Sequence, residues 1–336
     1  MRCKGRDLFW IAQRFPKLFS TFVANIFAME KPKTDIATNN EQVIQLPKIY
    51  DERGNLSFIE GLNHIPFAIE RTYWIYDVPG GEYRGAHAFR EQEEFIVALS
   101  GSFDVVLHDG MEERKYQLNR SYRGIYVPRM TWRRLENFST NSLCLVLSST
   151  RYDEDDYIRD FDEFVFLAGR EKSFSQREKN FPLRNRYNPI VLPPVDSFRT
   201  NRLDACQVFP LPKVHDPAGN LTALNNGTDV PFDVKRVFYI YDIPAGTTRG
   251  AHAHREAYQF IVAASSSFDL TLDDGYETRV VHLDRPFYGL LVVPGVWCRL
   301  ENFSSASVCM VLASDIYRKE DYIDNYDEFL ALKRCK

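Results

Sequence analysis

The chain states one phrase twice. Arg84-Gly-Ala-His-Ala-Phe89 returns as Arg249-Gly-Ala-His-Ala-His254, an offset of 165 residues. Leu135-Glu-Asn-Phe138 and Leu300-Glu-Asn-Phe303 keep that offset, as do Asp156-Tyr-Ile158 and Asp321-Tyr-Ile323. A period this long without slippage predicts two whole domains, not a solenoid of small units. The 336 residues suffice for two such cores, each of about 150 residues. Inside the repeated phrase one difference matters most. Phe89 stands where the second copy has His254, and a benzene ring cannot move a proton.

The spacing divides the chain into a non-repeated N-terminal extension and linker (1–41), a first domain (42–168), a connector (169–204) and a second domain (205–336). Arg14, Pro16 and Lys17 interrupt the opening segment, so it reads as neither a signal peptide nor a membrane span. A formal charge of -4 with no clustered basic face excludes a nucleic-acid partner. The six cysteines are scattered without a CxxC pair, which points to a reducing, cytoplasmic setting.

Each copy reads as short strands punctuated by turns. Val43-Ile-Gln-Leu-Pro47 and Val208-Phe-Pro-Leu-Pro212 open them, followed by the turns Asp51-Glu-Arg-Gly-Asn55 and Asp216-Pro-Ala-Gly-Asn220. Arg71-Thr-Tyr-Trp-Ile-Tyr76 and Arg236-Val-Phe-Tyr-Ile-Tyr241 are aromatic and β-branched runs of the strand type. The expectation is an all-β protein of two tandem barrels, closed so that no long edge is left open. Short helices should end each repeat, where Tyr152 to Phe164 and Tyr317 to Phe329 space their aromatics three to four apart.

If His252-Ala-His254 lies in a strand, period two turns both imidazoles to one face. Two such histidines serve either as half of a metal site or as an acid/base pair. The arrangement resembles the cupin superfamily, whose metal-binding members add a carboxylate and a later histidine. Here Gln259 and Cys298 occupy those positions in the second copy, while the first has Glu94, Arg133 and Phe89. Neither copy offers an ordinary ligand set, so no metal and no cofactor are expected. A His252–His254–Cys298 zinc site is the residual alternative.

The resemblance extends further, to the WxcM-like cupins, the sugar-nucleotide 3,4-ketoisomerases of deoxysugar biosynthesis. Leu46-Pro-Lys-Ile49, Arg53-Gly-Asn-Leu-Ser-Phe-Ile-Glu-Gly61, Ile65-Pro-Phe67, Arg249 to His254 and Tyr157-Ile-Arg-Asp-Phe-Asp-Glu-Phe164 carry it. The likeness covers residues 43–332, once per copy. It implies cupin-type jelly-roll barrels, a dTDP-4-keto-6-deoxyglucose substrate, and a homodimer that exchanges its N-terminal strand. The tandem chain would be that dimer written as one polypeptide, with further self-association left open.

Moving a ketone from C4 to C3 needs a base, a proton donor and groups that stabilise an enediolate. His252 and His254 jointly supply base and proton shuttle on this reading. Tyr239 or Tyr241 would hold the enediolate oxygen, and Arg249 an oxyanion or the pyrophosphate. Gln259 and Trp297 complete the substrate-binding set, with Arg84, His87 and Glu94 as the matching residues of the first copy. Plainer readings stand beside these: Tyr239 and Tyr241 as core aromatics, Arg249 as a turn or interface arginine, Trp297 as barrel wall. The first copy is then a structural partner, an enzyme using Glu93 or Glu94, or a binding module; the first account is preferred. The rival functions are a 4-keto sugar-nucleotide epimerase and a non-enzymatic sugar-nucleotide-binding scaffold.

Overall fold

The structure is a computed structural model and describes residues 41–174 and 198–334. The N-terminal extension, residues 175–197 of the connector, Cys3 and Cys335 lie outside the described residues. The first copy contributes β1 (Gln42–Gln45), β2 (Lys48–Ile49), β3 (Asn55–Glu60), β4 (Arg71–Tyr76), β5 (Arg84–Phe89) and β6 (Glu94–Ser100). It continues with β7 (Phe103–His108), β8 (Glu113–Leu118), β9 (Arg123–Val127), β10 (Trp132–Glu136), β11 (Leu143–Ser148), β12 (Tyr157–Ile158) and helix α1 (Phe161–Phe174). The second repeats the series as β13 (Val208–Pro210), β14 (Lys213–Asp216), β15 (Gly219–Asn225), β16 (Arg236–Tyr241), β17 (Arg249–His254) and β18 (Gln259–Ser265). β19 (Phe268–Asp273), β20 (Thr278–Leu283), β21 (Tyr288–Val292), β22 (Trp297–Glu301), β23 (Val308–Ala313), β24 (Tyr322–Ile323) and helix α2 (Tyr326–Arg334) complete it.

Among the described residues these strands form two jelly-roll barrels, each a seven-stranded antiparallel sheet facing a five-stranded one. The barrels do not coincide with the two sequence repeats. The first seven-stranded sheet runs β1-β9-β6-β11-β4-β15-β14, and the second runs β13-β21-β18-β23-β16-β3-β2. Each copy therefore lends its second and third strands to the other. Contiguous domains at 42–168 and 205–336 describe the repeats; each barrel is built from both.

The exchange is fixed by residues that recur on both sides. β3 pairs with β16 in the register Ser57 opposite Tyr239 and Asn55 opposite Tyr241. β15 pairs with β4 in the same way, Thr222 opposite Trp74 and Asn220 opposite Tyr76. The buried Asn55 side chain donates to Asp242 at 2.9 Å, and Asn220 to Asp77 at 2.9 Å. The Tyr241 hydroxyl meets Ser57 Oγ at 3.0 Å, and that of Tyr76 meets Thr222 Oγ1 at 3.0 Å. A buried polar atom left unpaired costs about 1–3 kcal/mol, so a shifted register is penalised at every one of these pairs. Gly54 makes the turn into β3 at φ +116°, where a Cβ would lie 3.0 Å from Ile243 of the other copy.

One apolar core runs through the junction. Ile59 and Trp74 of the first copy join Tyr239 and Phe260 of the second in it, all essentially without exposure. The helices start on side-chain caps: Asp160 Oδ1 accepts the Glu163 amide at 2.8 Å, and Asn325 Oδ1 accepts that of Glu328 at 2.9 Å. Each then buries one phenylalanine, Phe164 or Phe329, against a tryptophan of the five-stranded sheet, Trp132 or Trp297. Among the described residues no helix is long and apolar enough to cross a membrane.

Candidate active site

The second barrel encloses a cavity of about 210 Å³. Its wall follows from strand period. β16 presents Arg236, Phe238 and Ile240 to it, β17 presents Arg249 and His252, and β18 presents Gln259 and Ile261. Cys298 and Leu300 of β22 close the far side. The exchanged strands of the first copy add Ile49, Leu56, Phe58 and the turn residue Arg53, while Tyr317, Lys319, Tyr322 and Asp324 form part of the lining after β23. The site is thus built from both repeats.

His252 and His254 come together as their spacing implied, ring centroids 5.0 Å apart and nearly perpendicular. Only His252 lines the cavity. A bulge in β17 between Gly250 and His252, with Ala251 at φ 59°, sets its direction. Burial, with His254 beside it, lowers the His252 pKa to about 3, against the pull of a backbone hydrogen bond to Gly250. It is a neutral imidazole at neutral pH.

His254 sits behind it, 5% exposed, in a chain of hydrogen bonds. Its Nδ1 lies 2.7 Å from Asp321 Oδ2, and its Nε2 lies 2.8 Å from the Gln259 amide nitrogen. The amide can only donate, so Nε2 accepts and the ring proton rests on Nδ1, directed at Asp321. Burial lowers the His254 pKa and outweighs the Asp321 carboxylate. Burial works to raise Asp321, but the His254 bond and the amides of Glu256 and Ala257 hold it below the usual range. A fixed carboxylate, a neutral imidazole with a defined tautomer and an amide at the cavity wall stand in series.

The cavity lining is also rich in cations. Arg249 Nη1 lies 2.9 Å from Asp51 Oδ2, and Arg53 reaches the same carboxylate at 2.8 Å. Burial opposes ionisation of Asp51, yet the Arg53 hydrogen bonds and the Arg249 charge bring it to about 2. Arg236 is buried, donates to the Tyr322 hydroxyl at 3.1 Å and keeps a buried Nε without a partner. With Lys319 also in the lining, the site suits an anionic ligand.

Three expectations are corrected, the first being that His254 shares the cavity with His252: the β17 bulge leaves it behind the wall, held by Asp321 and Gln259. Tyr239 and Tyr241 lie on the opposite face of β16 from Arg236, Phe238 and Ile240, because alternate residues of a strand point to opposite sides. Tyr239 is fully buried and donates to the Ser121 carbonyl of the other copy, as Trp74 donates to that of Pro286. Tyr241 bonds Ser57 in the exchanged sheet. Both hold the junction. Trp297 does not face the cavity either; it packs on Tyr326 and Phe329 of α2, with centroids 5.2 and 5.5 Å away. Arg249 and Gln259 both line the cavity.

The residues missed are Asp321, Tyr322, Arg236 and Arg53. Tyr322 packs on both imidazoles, 4.4 Å from His254 and 5.0 Å from His252 by centroid. The Asp-Tyr-Ile echo marked the first two without revealing their partners, and Arg53 could not be assigned before the strand exchange was known. Cys298 lies opposite His252 in register, its thiol pushed up to about 12 by burial. Among the described residues no three His, Cys, Asp or Glu side chains are placed to hold a metal ion.

In the first barrel the matching residues are arranged differently. Arg84 pairs with Asp216 at 3.1 Å, mirroring Arg249 and Asp51. His87 is buried between Phe89 and Tyr157, both rings 4.8 Å away, with its Nε2 unpartnered. Its pKa is held well below the ordinary value by burial and by Arg133, Arg159 and Arg71. Glu94 is tied to Arg133 Nε at 2.6 Å and accepts the Tyr73 hydroxyl at 2.6 Å.

The TDP-4-oxo-6-deoxy-alpha-D-glucose-3,4-oxoisomerase of Aneurinibacillus thermoaerophilus is 42% identical over 123 residues, 37% of this chain and 88% of that protein. Among solved structures, a 3,4-ketoisomerase from Helicobacter canadensis is 38% identical, covering 39% of this chain and 98% of that one with a TM-score of 0.38. The sugar 3,4-ketoisomerase of Thermoanaerobacterium thermosaccharolyticum, in complex with TDP, is 35% identical over 39% of this chain and 96% of that one, TM-score 0.39. The sequence model of the FdtA family, described as WxcM-like, C-terminal, matches residues 39–168 and again 204–334. The chain therefore belongs to the WxcM-like FdtA family, of which it holds two copies, and its relatives are sugar-nucleotide 3,4-ketoisomerases.

Proposed function

We propose that this protein is a TDP-sugar 3,4-ketoisomerase that converts a TDP-linked 4-keto-6-deoxyglucose to its 3-keto isomer in the cavity of the second barrel. The observation that carries the reading is His252: a neutral imidazole on the wall of a cavity ringed by Arg53, Arg236, Arg249 and Lys319. A nucleoside diphosphate supplies the negative charge those cations match.

His252 takes the proton from C3, and the C3–H electron pair forms the C3=C4 double bond as the C4 ketone becomes an enediolate. The negative charge on oxygen is met by the neighbouring guanidiniums and the Tyr322 hydroxyl, preorganised before substrate arrives. The C3 hydroxyl proton passes to the C4 oxygen, and as the C3=C4 pair takes a proton at C4 the ketone re-forms at C3 with a hydroxyl left on C4. His254 does not line the cavity; clamped by Asp321 and Gln259, it positions the His252 ring and the Gln259 amide. A positive His252 formed during the reaction is stabilised by the anionic substrate, which offsets the burial that lowers its pKa in the empty cavity.

The test is to incubate the protein with TDP-4-keto-6-deoxyglucose in deuterated water and follow the ring by NMR. Migration of the ketone to C3 with deuterium entering at C4 is expected. Deuterium entering without ketone migration would assign an epimerase, and binding without exchange a scaffold; either result removes the isomerase reading. His252→Asn should slow exchange by about 10²-fold or more, the usual worth of a positioned base.

A further inference from the structure

We propose that the first barrel is closed by its own side chain: Arg133, caged by Glu94 and Tyr73, fills the space that the second barrel keeps open, so each chain carries a single nucleotide-sugar site. This rests on the reading of the second cavity as the TDP-sugar site.

Three matched positions decide it. Cys298, Gln259 and Phe238 line the cavity in the second barrel or flank it in register. Their counterparts are Arg133, Glu94 and Tyr73, which are 3%, 1% and 3% exposed. Arg133 donates from Nε and Nη2 to Glu94 at 2.6 and 3.1 Å and from Nη2 to the Tyr73 hydroxyl at 2.8 Å. The Tyr73 hydroxyl in turn donates to Glu94 at 2.6 Å. The guanidinium reaches across to the neighbouring strand: a Cβ on Gly85 would fall 1.8 Å from Arg133 Nη1. The matching Gly250 is itself part of the cavity lining. The Arg133 fork therefore lies where the second barrel admits a ligand.

The mouth has changed with the interior. Ala218 stands where the exchanged turn of the other half has Arg53, and Glu154 stands where the second copy has Lys319. Arg53 and Lys319 are thus without cationic counterparts in the first barrel, while Arg159 stands where the second copy has Asp324. His87 keeps the place of His252, but Phe89 replaces the imidazole that stands behind it in the second barrel, so the first copy lacks the His254–Asp321 type of support. What the first copy keeps intact is its gift of β2 and β3, with Arg53, to the second site.

Counting bound nucleotide on the unmodified full chain tests this without any variant. Isothermal titration with TDP should give one equivalent per chain; two equivalents overturn the proposal. Arg249→Gln should weaken binding about tenfold or more while Arg84→Gln leaves it unchanged, as the loss of a charge-assisted bond at one site only requires. The opposite pattern would place the ligand in the first barrel and overturn it too. A second arm needs no nucleotide. The variant Glu94→Gln/Arg133→Cys carries the second barrel's residues, and its introduced thiol should be modified by methyl methanethiosulfonate at a rate comparable to Cys298. A thiol as slow as the core Cys144 would show that removing Arg133 opens nothing, and would overturn the plug. If TDP bound neither barrel, the functional reading would fall and the labelling arm would still decide whether Arg133 closes the barrel.

Discussion

Removing the Arg133 side chain should leave the buried Glu94 carboxylate without its cation, and the size of that effect follows from its partners. Arg133→Met deletes two bonds to the carboxylate, at 2.6 and 3.1 Å, and one to the Tyr73 hydroxyl at 2.8 Å. Glu94 then keeps only the Tyr73 hydroxyl at 2.6 Å and the Gln92 amide at 2.9 Å. Each lost bond to a charged group is worth about 1.5–3 kcal/mol, and two of them give roughly 3–6 kcal/mol. Breaking a buried ion pair from one side costs about 3–5 kcal/mol by direct precedent, so the two routes agree. The double variant Glu94→Gln/Arg133→Met removes the orphaned charge and should recover most of the loss, because the pair is replaced by uncharged side chains of similar size and the introduced amide oxygen can still accept the Tyr73 hydroxyl. Urea unfolding of wild type, both single variants and the double variant, with m compared across the set, measures these terms. A single-variant loss below about 1 kcal/mol would refute the claim that this charge is desolvated. So would a double variant no more stable than Arg133→Met.

Three further outcomes follow from the site and the fold. Asp321→Asn should lower turnover without abolishing TDP binding, because it removes the acceptor that fixes the His254 tautomer and leaves the cationic lining intact; unchanged turnover would separate His254 from catalysis. Stability should rise with pH from about pH 4 to pH 7, since the unfolded chain binds protons that the lowered His87, His252 and His254 refuse when folded. Each such group contributes up to about 1.4 kcal/mol per pH unit within the window between its folded pKa and about 6.5. His252→Asn should flatten that slope, and an unchanged slope in pH-dependent urea titrations would contradict the burial argument. Cutting the chain at a protease site inserted between residues 175 and 197 should leave both halves associated on gel filtration. Four exchanged strands and a shared core hold them; separation into two species would refute the exchange.

Much of this was legible because it depends on local chemistry. Strand runs of aromatic and β-branched residues, turns such as Asp51 to Asn55, and the capped helices after Asp160 and Asn325 are set by neighbours in sequence. The pairing of His252 with His254 needed only the period of a strand, and the Phe89 difference needed only a comparison of the two copies. The tyrosines of β16 show where such reasoning stops. Period two says that Tyr239 and Tyr241 share a face, but which face looks into the barrel depends on the partner sheet, and the partner strand comes from the other repeat.

The sequence by itself determined that two jelly-roll copies would form, where their strands fall and which copy retains two histidines. Tertiary structure alone decided which strands cross, β2 and β3 one way and β14 and β15 the other, and this brings Arg53 into a site defined by His252, 199 positions away in the chain. It alone revealed that Arg133, in sequence merely a residue in place of a histidine, occupies the interior of the first barrel. The physical reason is common to both. Burial and pairing of a polar group are set by what surrounds it in space, and a guanidinium that would be an ordinary surface charge elsewhere becomes a plug when a carboxylate and a phenol meet it inside a closed sheet.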